Sequence, residues 1–138
     1  MYNKLLKIQE EIGAIKKDAT NPYYKSKYFD INSLLEQIKP TLNKYGVVLL
    51  QGLTNIDGKI ALSTQLAFSE EGKVIETVCP LPDIQDPQKM GSAITYFRRY
   101  ALQSLLALEA EDDDGNSASN TVKVKAKVKE IESEEDPF

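Results

Sequence analysis

The chain of 138 residues reads as an α+β domain of order α-α-β-β-β-α, an antiparallel β-meander packed against a long helix and followed by an acidic tail. Three observations predict this. Two apolar stripes of helical spacing occupy the first forty-five residues. Three short stretches with alternating apolar residues follow, separated by Gly-containing turns. A third and longer helical stripe then runs from Pro87 to an acidic stop.

Each element has its own signal. Residues 2–17 form the first expected helix, with Leu5, Ile8, Ile12 and Ile15 on one stripe and Gly13 weakening it slightly. Residues 18–30 are rich in turn formers. Asp30 or Asn32 caps a second helix that reaches Tyr45, with Ile31, Leu34, Leu35, Ile38 and Leu42 apolar. Pro40 inside it predicts a kink or a break, and Gly46 suits the position after its end. Strands are expected over 47–53, 60–69 and 73–79. The turns between them carry Asp57-Gly58 and Gly72. In the middle strand Ile60, Leu62, Thr64, Leu66 and Phe68 alternate with Ala61, Ser63, Gln65 and Ala67, which predicts one buried face and one small polar face. Pro80 and Pro82 end the third strand.

The long helix starts at Pro87 behind Asp86, a good N-cap. Met90, Ile94, Phe97, Ala101, Leu105 and Leu108 make its core line, and Ser92, Tyr96, Arg99 and Gln103 the opposite one, flanked by Thr95 and Arg98. Beyond the acidic run 109–114, residues 117–138 read as a flexible tail. Thr121 to Lys129 alternates Val or Ala with Lys. That pattern fits a short strand, but no complementary partner is in view, and the reading adopted is disorder.

Charge is divided along the chain. Residues 1–108 hold 13 Lys and Arg against 11 Asp and Glu, a net of +2; residues 109–138 hold 4 against 10, a net of −6. The low isoelectric point therefore belongs to the tail, and the folded part is slightly basic. A single cysteine, Cys79, excludes an internal disulfide and fits a reducing cytosol. No run approaches the roughly 18 apolar residues of a membrane span, and Met1 leads into a polar amphipathic pattern, not a signal peptide. The expectation is a cytoplasmic protein without membrane contact. Histidine is absent, which removes the commonest general base and a common metal ligand.

Two segments carry binding chemistry. In 21–29, NPYYKSKYF, tyrosines alternate with lysines: Lys25 and Lys27 can neutralise phosphates and Tyr28 can stack on a base. Some rings of this segment also serve to pin it to the fold. In 96–100, YFRRY, Tyr96 and the guanidinium forks of Arg98 and Arg99 suit bases and phosphate oxygens. The alternative for an arginine is pairing with a carboxylate of the acidic run. That run lacks the calcium-loop spacing, and no cofactor or metal is expected. Glu71-Gly-Lys73 and Asp57-Gly-Lys59 have an acid-x-lysine look but fall in turns, so a metal nuclease is disfavoured. No phosphate-binding glycine loop is present, which excludes ATP-driven strand exchange. At the end, Asp136, Pro137 and Phe138 follow two glutamates, a pattern that fits delivery of a terminal phenylalanine to a basic pocket.

Together, NPYYKSKYFDIN at 21–32 with IKP at 38–40, and GSAITYFRRYAL at 91–102 leading to EDDDGN at 111–116, resemble the ERF family of phage single-strand annealing proteins. The resemblance covers residues 1–116 and implies a Rad52-like core. It implies ATP-independent binding and annealing of single-stranded DNA, ring or filament homo-oligomers, and a host-cytoplasmic, phage-encoded protein that is not an enzyme. Lys25, Lys27, Tyr28, Tyr96, Arg98 and Arg99 would line the DNA groove. The tip resembles that of bacterial single-stranded-DNA-binding proteins, with Asp136 where an apolar residue is usual. It implies an alternative, a coating protein that recruits replication or repair partners through Asp136, Pro137 and Phe138.

Overall fold

The computed structural model describes residues 1–16 and 30–110. The elements in chain order are α1 (Tyr2–Ile12), β1 (Ala14–Ile15), α2 (Ile31–Lys44), β2 (Val47–Ile56), β3 (Lys59–Phe68), β4 (Lys73–Pro80), α3 (Pro87–Leu105) and β5 (Glu109–Ala110). β2, β3 and β4 form an antiparallel meander in that order, and β1 pairs with β5 in a separate parallel ladder. The expected α-α-β-β-β-α order is the observed one. The expected tail disorder, and the strand alternative for the lysine–valine stretch, lie outside the described residues.

The helices cover one face of the meander. Ile8 of α1, Leu34, Ile38 and Leu42 of α2, Val47, Leu66 and Phe68 of the sheet and Leu102 of α3 form the main core. Burying each such side chain stabilises the fold by about 1.5–3 kcal/mol. A second cluster of Leu62, Leu81 and Ala101, with Met90, Ile94 and Phe97 against it, lies under the first half of α3. The core stripe predicted for α3 is therefore real but too narrow: Ala93 and Leu102 are also buried. The buried arc widens because α3 packs on α2 as well as on β3 and β4.

Several boundaries differ from expectation. The first helix stops at Ile12 and not at residue 17, because Gly13 turns the chain at φ 57 and its N–H closes on the Gln9 carbonyl. A residue with no Cβ takes that conformation at little cost. Ile15 is buried as expected, but from the extended β1. α2 continues through Pro40 without a break. Asp30 is its N-cap residue, yet no side-chain capping bond is made; the cap of α3 is, with Asp86 accepting from the Gln88 N–H at 3.4 Å. The β2–β3 hairpin turns on Asp57 and Gly58, both at positive φ, as its sequence predicts. β4 extends to include Pro80. In β3 the buried face is the predicted one at Leu62, Thr64, Leu66 and Phe68. Ile60, however, reaches past the helices and is exposed, and Ala61 on the other face is buried.

The long helix ends at Leu105, short of the acidic run. The Leu108 N–H bonds the Gln103 carbonyl at 3.0 Å and the Ala107 N–H bonds that of Ser104 at 3.3 Å, with Ala107 at φ 51. This is a Schellman closure built on alanine instead of glycine. Leu108 therefore reaches the core from a turn and not from the helix. Two surface clasps hold the helices: Lys4 reaches Glu70 and Glu71 at 2.9 Å each, and Lys44 reaches Glu11 at 3.0 Å. The Tyr45 hydroxyl also donates to Glu11, and with Lys44 it holds that carboxyl below its ordinary value.

Candidate nucleic-acid interface

An open groove of about 750 Å³ runs along α3. Lys89, Ser92, Tyr96 and Arg99 line it, with Thr95 beside them and Ile84 and Asp30 opposite. Their spacing explains the alignment: steps of three and four residues place 89, 92, 96 and 99 on one helix face. At 1.5 Å per residue, Lys89 and Arg99 stand roughly 15 Å apart along the axis. The Arg99 guanidinium carbon lies 5.7 Å from the Tyr96 ring centre, and Tyr96 leans on Tyr100 with centres 4.5 Å apart. A cation over a ring is attracted by its π-face, and the pair offers a phosphate partner and a stacking surface side by side.

Arg98 goes elsewhere. Its Nε donates to Gln51 Oε1 on β2 at 3.3 Å, and Gln51 Nε2 donates to the Arg98 carbonyl at 3.2 Å and to Thr64 Oγ1 at 3.0 Å. Thr64 is fully buried. The amide uses both of its hydrogens and its oxygen in this clasp, so it ties α3 to two strands. Among the described residues an uncharged amide holds Arg98. Of the acidic run 109–114, the alternative partner for an arginine, residues 111–114 lie outside the described part.

Of the predicted site residues, Tyr96 and Arg99 meet in the groove and Arg98 leaves it for the sheet. Lys25, Lys27 and Tyr28 lie outside the described residues, as do Asp136, Pro137 and Phe138. The ends of the segment that carries the first three are defined, however. Lys16 is fixed by Gln37, which accepts from its N–H and donates to its carbonyl, both at 2.9 Å. The chain re-enters at Asp30, on the groove wall. Lys89 and Gln51 were missed by sequence reasoning. Lys89 had a usable signal, seven residues before Tyr96 on the same face. Gln51 had none, because its role depends on strand pairing and on the helix above it.

Among the described residues no three acidic or cysteine side chains converge as a metal site would require, and no helix is long and apolar enough to cross a membrane. Comparison with protein families decides the broader question: the ERF superfamily matches over residues 1–137. The chain belongs to the ERF superfamily. Members are non-catalytic DNA-binding proteins, and membership implies a general role in phage recombination through single-strand annealing. Comparison with curated proteins and with solved structures finds no match.

Proposed function

We propose that this ERF-superfamily protein anneals complementary DNA strands without ATP, as an oligomer, with one strand lying in the groove along α3. The observation that carries this reading is the Lys89–Tyr96–Arg99 face, which lines one groove together with Asp30, the residue that follows the lysine–tyrosine segment 21–29 in the chain. Arg99 and Lys89 would take phosphates from one wall, and Lys25 and Lys27 from the other. Tyr96 and Tyr28 would stack bases, at about 1–3 kcal/mol per base and without sequence preference. Arg98, seated on Gln51, would hold that face of α3 against the sheet. A second reading, coating of single strands with recruitment of host replication or repair proteins, draws on Asp136, Pro137 and Phe138.

The test is annealing of complementary oligonucleotides with no nucleotide present. Acceleration by the full chain is expected, along with binding that weakens with salt by a slope of about 0.7 per phosphate contact. Annealing no faster than the spontaneous rate would end the first reading. A chain lacking residues 136–138 should anneal as well or better, because an acidic competitor for the groove is gone. If that chain also loses purified host single-strand-repair partners, the recruitment reading stands; unchanged partner binding removes it.

A further inference from the structure

β2 is an outer strand of the meander, and no described strand pairs with its free edge. Proteins blunt such edges with charges, prolines, bulges or short length. β4, the other outer strand, carries Lys73, Glu76 and Pro80. β2 has no such device. It runs ten residues with no charged side chain and no proline, and its pairing with β3 is uninterrupted over all ten. Val48, Leu50 and Ile56 are exposed on the face away from the helices, and Leu53 is 57% exposed on the other.

Gly52, at the middle of this strand, sharpens the point. Its φ is not in the left-handed region, and a Cβ placed there meets nothing within 4 Å. Nothing among the described residues calls for glycine, which in a strand costs about 0.5–1 kcal/mol relative to alanine. Glycine inside a strand commonly marks the close approach of another backbone.

The geometry points to β2 as a subunit interface, where β2 of a second copy adds antiparallel across a two-fold axis and joins the two meanders into one sheet. The occupant is a copy of this chain for two reasons. The free edge presents a row of backbone donors and acceptors, which a strand satisfies, and β2 offers no cation to a phosphate. A charge-free strand is also complementary to itself. With Gly52 on the axis, Val48 faces Ile56 of the partner subunit and Leu50 faces Thr54 of the partner subunit. Head-to-tail addition to β4 would instead set an uncharged strand beside Lys73 and Glu76, in the parallel and weaker arrangement.

This inference rests on the proposed function only in taking the subunit to be repeated. It is tested by light scattering on the full chain without DNA. Wild-type protein is expected at an even multiple of the subunit mass, and Leu50→Lys and Gly52→Glu at half that mass or less. Circular dichroism should be unchanged, because both sites are exposed. A monomeric wild type overturns this interface and the oligomeric part of the functional reading together. An oligomeric wild type with unaltered variants overturns this interface alone. In a Cys79→Ser background, Gly52→Cys should oxidise to a covalent dimer under a copper oxidant, since directly opposed antiparallel residues lie about 4.5–5.5 Å apart at Cα. Cross-linking only when that chain is mixed with a Val74→Cys chain would place β4 opposite β2 and overturn the two-fold pairing.

Discussion

Adjacent arginines on one helix have been given different surroundings, and the difference is testable residue by residue. Arg99 sits in the groove over Tyr96, whereas Arg98 is anchored through Gln51 to Thr64 in the sheet. Arg99→Ala should weaken single-strand binding for all sequences alike and lower the salt slope by about one contact. Arg98→Ala should destabilise the fold by about 1–3 kcal/mol, since it deprives Gln51 of a charged donor. Measuring affinity against salt and unfolding against denaturant for both variants separates these roles. Equal effects of the two substitutions on affinity would contradict the assignment. That tyrosine and arginine share one face of this helix was legible in the sequence. Which arginine lines the groove was not, because a hundred-degree turn between neighbours sends one to the groove and the other to a strand forty-seven positions away.

At the level of elements, most of the fold follows from periodicity and punctuation. The β2–β3 turn is written as Asp57-Gly58, the start of α3 as Asp86-Pro87, and the end of α2 by Gly46, which follows it at φ 74. What escaped were features with no local writing. The end of α3 is one: its closing residue is Ala107, so a sequence reader sees helix former where the chain turns left-handed. Replacing it supplies a check. Ala107→Gly should stabilise the protein by about 1 kcal/mol, because alanine resists positive φ and its exposed side chain adds little packing. In a domain of this size that is a rise of about 3–5 °C in melting temperature. A fall would mean the turn is not strained. The continuity of α2 through Pro40 is the opposite case, in which tertiary packing of Ile38 and Leu42 outweighs a local breaker.

For the molecule as a whole, the slightly basic stretch 1–108 and the acidic stretch beyond it meet at one place. β1 and β5 pair Ala14 with Glu109 and Ile15 with Ala110, across ninety-five positions of sequence. No sequence pattern foretells a ladder of two residues, since it forms only when everything between its halves has folded. Its consequence concerns order in time. Long-range pairings bear the full entropy of loop closure and form late, and a two-residue ladder has little to hold it once formed. The junction should close last on folding and open first in the native state, below the cost of global unfolding. Native-state hydrogen exchange of full-length protein tests this: amides of β1 and β5 should exchange at matched rates, well ahead of those in β3. Unmatched rates would show two independent ends. Matched rates would make the junction a single latch on two distant points of the chain, so that one opening event frees Ala14–Ile15 and Glu109–Ala110 together.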